Sequence, residues 1–412
     1  MSNDTSSASL RAEAQDLLPS IVGVRRRLHR VPEIGLQIPL TQAIVAEEVR
    51  KLGLMPVLGR STTSVTAVIQ GTGTGTRPGA GADRSIVLRG DMDALPLTEN
   101  TGLDFASGHP GVMHACGHDT HVAMLLGGAR LLLDRADRFA GRVVLMFQPG
   151  EEGHHGARYM IEDGLLDGIE GTAGAAAFAI HISTRYPTGT LNLRHGPLLA
   201  AADRLLFTVH GRGGHASAPF LAIDPITVAA ELIIALQLMV TRTVDALDPA
   251  VITIARVTAG TTNNIIPEIA ELEGTLRTLS ETVRSDVQAR IRRVAAGIGA
   301  AHGAEIEVEV EPGFPVTVND RGVTDLVRAV ALELAGPDGT IEMDAPIMGA
   351  EDFSYVLQRV PGMMAFLGAR PPEQDVATAP MNHSNVVIFD EAAMAVGAAT
   401  YAAVALRHLG GE

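Results

Sequence analysis

The chain has 412 residues, 46% of them apolar, enough for two or three domains with sizeable buried cores. Lys and Arg number 32 against 47 Asp and Glu, and the formal net charge of −15 repels phosphate backbones and anionic lipid heads, which excludes nucleic acid and membrane surfaces as partners. The first ten residues lack an apolar signal core, no uncharged apolar run of about 18 residues follows, and the lone Cys116 cannot form an internal disulfide; a soluble, cytoplasmic protein is expected.

Apolar residues at helical spacing predict helices over 7–30 and 40–52, the second closed by Gly53. Runs rich in β-branched residues predict strands at 65–70 and 86–89, separated by a loop that begins with the Gly-Thr alternation of 71–76. Lacking the G-x-x-x-x-G-K-[ST] pattern, that alternation reads as a surface loop and not as a phosphate cradle. Helix 122–133, strand 142–148, helix 157–163 and strand 175–181 follow. Such alternation predicts an α/β fold, a mixed, largely parallel sheet flanked by helices. Ligands gather beyond the carboxyl ends of strands in these sheets, and Asp91, Glu151, Glu152 and His181 fall at such ends.

Past Pro197 the pattern changes. Strands over 205–210, 251–257, 269–278 and 305–310 and helices over 226–240 and 283–298 predict a smaller α+β unit over 198–312, set between the two α/β parts 1–197 and 313–412. After Pro312 the α/β character returns with segment 323–335, a strand at 365–367 and a closing helix over 391–408.

Ligand-type side chains concentrate at 89–93, 114–121, 148–153 and 179–181, with a fifth cluster at 382–384. Thiolate, imidazole and carboxylate together suit a borderline divalent ion. Taken alone, Cys116 beside His118 reads equally as a packed core thiol, and Glu151-Glu152 as a solvated acidic turn. The acidic pair, however, follows an apolar strand and a Pro-Gly corner, where one carboxylate can bind metal while its neighbour acts as a base.

Five motifs in order carry a resemblance: Gly90-Asp91-Met92-Asp93-Ala94-Leu95-Pro96, His114-Ala115-Cys116-Gly117-His118-Asp119, Gln148-Pro149-Gly150-Glu151-Glu152-Gly153, Gly213-Gly214-His215-Ala216-Ser217 and Gly349-Ala350-Glu351-Asp352-Phe353. Together they resemble the M20 metallopeptidases, in particular the amidohydrolase branch with hippurate hydrolases, N-acyl-amino-acid amidohydrolases and auxin-conjugate hydrolases. The resemblance runs from about residue 28 to about residue 406. It implies a zinc-peptidase-like catalytic domain, a dimerisation or lid insert, and two divalent ions per subunit drawn from zinc, manganese, nickel and cobalt.

By the same resemblance Cys116 bridges the ions, His118 and His181 complete one site, and Glu152 and His383 the other. Glu151 is then the general base for attack of an activated water on the amide of an N-acyl amino acid or related conjugate. Asp91, where many M20 peptidases outside this branch carry a metal-binding histidine, and Asp93 support the ligands from behind. His215 becomes the donor to the tetrahedral oxyanion, reaching across the interface of a homodimer or homotetramer, and Asn263 and Arg277 contact substrate. Without the resemblance His215 and Asn263 are turn residues and Arg277 an exposed strand arginine. His29 is expected to pack a helix end, and His121 to pack along a helix that starts after Asp119; His154, His155 and Glu351 carry no assigned role. Two alternatives stay open, a dipeptidase or aminopeptidase of the same family and a scaffold with a structural metal. Structural zinc sites are usually closed by four ligands, whereas three ligands per ion leave room for water.

Overall fold

The structure, a computed structural model, describes residues 5–73 and 83–410; positions 74–76 of the expected Gly-Thr loop lie outside them. Contacts divide the chain into two units, one of Met1–Gly196, Val318–Ala345 and Tyr355–Glu412, the other of Pro197–Thr317 and Pro346–Ser354.

The first unit opens with α1 (Ser7–His29), capped by the Ser6 side chain accepting the Ser9 N–H and ending in Arg26, Arg27 and His29, cations that suit a helix carboxyl end. There follow α2 (Pro39–Lys51), β1 (Val57–Leu58), β2 (Val65–Gln70), β3 (Ser85–Asp91), α3 (His118–Leu133), β4 (Arg142–Gln148), α4 (Gly156–Glu162), β5 (Ala175–Pro187) and β6 (Leu191–Leu193). The second unit contributes β7 (Ala201–His210), α5 (Pro225–Thr243), β8 (Ala250–Ala259), β9 (Ile269–Thr278), α6 (Glu281–His302) and β10 (Glu305–Glu311). The chain returns to the first unit with α7 (Arg321–Gly339), β11 (Thr340–Glu342), β12 (Gly362–Arg370) and α8 (Ala393–Leu409).

In the first unit an eight-stranded sheet runs β1-β2-β4-β3-β5-β12-β6-β11. Its centre, β4-β3-β5-β12, is parallel throughout, while β1, β2 and β6 add antiparallel pairs. Every residue of β3 is buried, as expected of a strand covered on both faces, and the burial extends to Arg89 and Asp91. Against it α3 packs with α1 and α8 at close range: a Cβ at Gly127 would stand 2.6 Å from Ile21, and one at Gly128 2.8 Å from Tyr401.

The second unit is a four-stranded antiparallel sheet, β8-β9-β7-β10. Phe207, Leu232, Leu236 and Ile291 share its core. Among the described helices α5 alone is long and apolar enough to cross a membrane, although Glu231 interrupts it and its Leu232, Leu236 and Met239 are buried in this core. On α5, Ile226, Ile234 and Leu238 are exposed.

Three sequence expectations are corrected. Helix α3 begins at His118 and not at 122, because Gly117 at φ +90° supplies the left-handed turn that leads into it. Residues 313–317 and Pro346–Ser354 group with the second unit, and only the remainder of 313–412 with the first. The Ala200 N–H donates to Ile347 O and Gly349 O, and Arg277 Nη1 to Met348 O, so this segment's backbone partners belong to the second unit. Finally, β5 runs to Pro187, past its expected end at 181.

Candidate metal centre

The pairing of β3 with β5 ends at Arg89 and Ala179. Beyond it the Tyr401 hydroxyl donates to Arg89 O at 2.6 Å and accepts the Ile180 N–H at 3.2 Å, while His121 Nε2 accepts the Ile182 N–H at 2.8 Å. Side chains thus replace the ladder where the carboxyl ends of β3 and β5 part, the position of the ligand crevice in open parallel sheets. Gly90 permits α3 to start there, since a Cβ would lie 3.0 Å from His121 O.

Around this opening Cys116 Sγ stands 3.4 Å from His181 Nε2 and 3.3 Å from His383 Nε2. His383 Nε2 is also 3.3 Å from Glu152 Oε1, and His118 Nε2 is 4.0 Å from both Glu152 Oε1 and Glu151 Oε2. Two sets of ligand atoms result, Cys116 with His118 and His181, and Cys116 with Glu152 and His383, each set within 4.8 Å, and the sulfur is common to both.

The tautomers follow from the partners. His118 Nδ1–H donates to Asp93 O and His181 Nδ1–H to Ile182 O, each at 2.8 Å, because a carbonyl can only accept. Both Nε2 lone pairs therefore turn inward, and His118 Nε2 is buried with no hydrogen-bond partner. A buried lone pair without a donor is costly unless something cationic meets it. Thiolate, imidazole and carboxylate donors around that orphan atom fit a pair of borderline divalent ions.

His121 also clusters with Asp91 and His118, but both of its nitrogens are committed, Nδ1 to Asp91 Oδ1 at 2.5 Å and Nε2 to the Ile182 N–H. No lone pair is left for an ion. Asp91 is paired with Arg89 at 2.9 Å; burial opposes its ionisation, yet Arg89, His118 and His121 hold its carboxyl well below the usual range. Asp93 acts in two places. Its backbone oxygen orients His118, and its carboxylate accepts the Glu151 N–H at 2.9 Å and the Glu152 N–H at 3.0 Å.

The ligand set draws protons in the same way as it would draw a cation. The Cys116 sulfur and the Glu152 carboxylate push His383 up to about 10, and although burial opposes a charged His118, Asp91 and Cys116 raise it well above the ordinary imidazole value. Ion binding at such a centre releases protons. Behind it, Asp119 accepts from Arg25 Nε and His29 Nδ1, each at 2.8 Å, and His29 Nε2 faces Glu99 at 3.3 Å. His29 therefore ties α1 to the first turn of α3, beyond merely packing a helix end.

His215, Asn263 and Arg277 belong to the second unit. His215 is exposed in a two-residue ladder with Ile265, and its Nδ1 accepts from the Ser217 N–H at 3.1 Å, so a neutral ring carries its proton on Nε2. Asn263 is exposed in a loop, and Arg277 is half-buried through its bond to Met348 O. Sequence reasoning gave no role to Arg89, Tyr401 or Asn382. A charge inside the apolar run of β3 was a usable signal for Arg89, since buried charges need partners; Asn382 offered only its place beside His383 in the cluster at 382–384, and Tyr401 offered none.

Residues 87–407 match the model of peptidase family M20/M25/M40. The chain is 40% identical over 401 residues to "Thermostable carboxypeptidase 1" of Saccharolobus solfataricus, covering 97% of this chain and 98% of that one. It is also 40% identical over 352 residues to "N-acetyl-L-cysteine deacetylase" of Bacillus subtilis, covering 84% and 80%. Among solved structures, a Bacillus subtilis protein described as a dinuclear metal binding peptidase from the M20 family superposes with a TM-score of 0.81 at 33% identity, covering 96% of this chain and 99% of that one.

Proposed function

The chain belongs to peptidase family M20/M25/M40, and from that premise we propose that it is a two-metal amidohydrolase of N-acyl amino acids or related conjugates. Cys116 would be the shared ligand, with His118 and His181 completing one site and Glu152 and His383 the other. The observation that carries this reading is one sulfur flanked by two imidazole Nε2 atoms at 3.3–3.4 Å, with a third, orphaned Nε2 nearby. When bound, the ions polarise the amide carbonyl and bring the pKa of water from about 16 toward about 7.

Glu151 takes the proton of the attacking water and passes it to the leaving amine nitrogen. Its backbone is held by Asp93, as is that of Glu152, so two adjacent carboxylates keep separate tasks. His215, with its proton on Nε2, donates to the oxygen that becomes anionic and does so from the partner copy of a homodimer or homotetramer. Ile234 and Leu238 are exposed on α5, where such an assembly could cover them. Arg277 and Asn263 bind the substrate, the guanidinium as a fork for a terminal carboxylate. A cytoplasmic setting suits the chemistry, because a working free thiol survives best where thiols are kept reduced.

Hippurate, acetyl-amino acids and unblocked dipeptides, offered to apo protein reloaded with single metals, test the substrate class. N-acyl substrates should be cleaved, and exclusive cleavage of unblocked dipeptides overturns the reading in favour of a dipeptidase or aminopeptidase. Glu151→Gln should lower kcat by about 10²–10⁴ and keep both ions; unchanged turnover removes Glu151 from the mechanism.

A further inference from the structure

The ligand His383 reaches the centre from a segment more than 200 residues beyond Cys116 and His181, and what holds that segment in place is a side chain with no part in the proposed chemistry. Asn382 Nδ2 donates to Cys116 O at 3.0 Å and to Ile182 O at 3.0 Å. Both acceptors are carbonyl oxygens, so only the NH₂ end of the amide can face them, and the orientation of Asn382 is decided by chemistry. Ile182 O is the same atom that accepts His181 Nδ1–H and so fixes that ring's tautomer. One amide group therefore touches the backbone of one ligand residue and the carbonyl that orients another.

Two further bonds confirm the direction of the constraint. The His383 N–H donates to Ala115 O at 2.9 Å, and the Thr184 hydroxyl donates to Pro380 O at 2.7 Å, so residues 380–383 are tied at both ends to the two ligand-bearing segments. His383 itself sits at φ +71°, one of two non-glycine residues in the left-handed region among the described residues. That conformation is unfavourable for a residue with a Cβ and persists where neighbouring contacts over-determine it.

We propose that Asn382 is a positioning residue of the metal centre, its side-chain amide setting the spacing of the segments that carry Cys116, His181 and His383. The proposal rests on the ligand assignment above and adds that the site shared by Cys116, Glu152 and His383 depends on a donor that never touches an ion. Groups that orient ligands from behind typically contribute about 10–100-fold in metal affinity.

Apo protein of Asn382→Ala, dialysed against buffered Zn²⁺ or Co²⁺, is read by bound-metal stoichiometry, by the visible cobalt spectrum and by the melting temperature without metal. Expected are a loss of about 10–100-fold in affinity for at least one of the two ions, an altered cobalt spectrum, a nearly unchanged metal-free melt, and turnover restored by excess metal. Unchanged affinity for both ions overturns the proposal, as does lost turnover that excess metal does not restore. Asn382→Ser, which keeps one shorter donor, is read alongside; failure of both variants to give folded apo protein makes Asn382 a folding residue and overturns the proposal as well. Cys116→Ala separates the two levels of inference: if it still binds two ions the ligand assignment itself fails, and if it loses metal while both Asn382 variants do not, only the role of Asn382 fails.

Discussion

Glu99, His29, Asp119 and Arg25 form a buried chain of charges that passes through Asp119, the residue next to His118. Burial would raise the Glu99 carboxyl, but bonds from His29, Thr101 and the Ser107 N–H bring it down to about 2, against an ordinary value of 4.5. A carboxyl depressed on folding stabilises the protein above pH 4.5 and loses that contribution as pH falls through about 2. His29 has the opposite sign. Its imidazole is raised by Asp119 and Glu99 in spite of burial, so its contribution is complete below pH 6.5 and is lost as pH rises through the elevated value. Glu99→Gln should therefore cost about 1–3 kcal/mol near neutral pH and flatten the acid limb of stability. Urea midpoints followed between pH 4.5 and 2 check this, and an acid limb as steep as that of the parent would remove Glu99 from it. The proposed ligand residues were legible in the chain through the five ordered motifs that resemble the M20 family, since the thiol, imidazoles and paired carboxylates taken alone read equally as packing and a solvated turn. The choice among neighbouring histidines was less so, since His118 and His121 differ only in which distant partners occupy their ring nitrogens.

At the scale of elements, the 3.6-residue and two-residue periodicities located α1, α2, β2, β4 and β9 with their ends within a residue or two. The pattern was weakest for β1, β6 and β11, which are two or three residues long and too short to show alternation. Glycines report how closely these elements meet. In α3 an added methyl at Gly128 would lie 2.8 Å from Tyr401 Cβ and 3.1 Å from Ala398 O, both on α8. In α1 nothing lies within 4 Å of a methyl at Gly23. Gly128→Ala should cost about 1–3 kcal/mol through overpacking, against a helix-propensity gain of only about 1 kcal/mol. Gly23→Ala should be neutral to stabilising by about 1 kcal/mol, because only the propensity term acts. Equilibrium unfolding of both variants decides, and a stabilised Gly128→Ala would show that α3 and α8 can separate at no cost.

For the whole molecule, the proposed catalytic site takes His215 from a second copy, whereas Glu151 and the ligands stay within one chain. Mixed His215→Ala and Glu151→Gln subunits should then regain about a quarter of parental turnover, since half the dimers from equal mixing are mixed and each restores one site. Absence of any regained activity, with subunit exchange verified by mass, would place His215 within its own chain's reaction.

The sequence by itself carried the α/β class, which is written in local periodicity, and the five ordered motifs whose resemblance to the M20 family implied the proposed ligand residues. Tertiary structure decided which nitrogen of each histidine faces the centre, that Asp93 holds His118 through its backbone and Glu151 through its carboxylate, and that Pro346–Ser354 joins the second unit. These depend on hydrogen bonds between atoms far apart in the chain, as Asn382 and Ile182 are at 200 residues, and such a bond exists only once the strands have assembled and left each polar group one available partner.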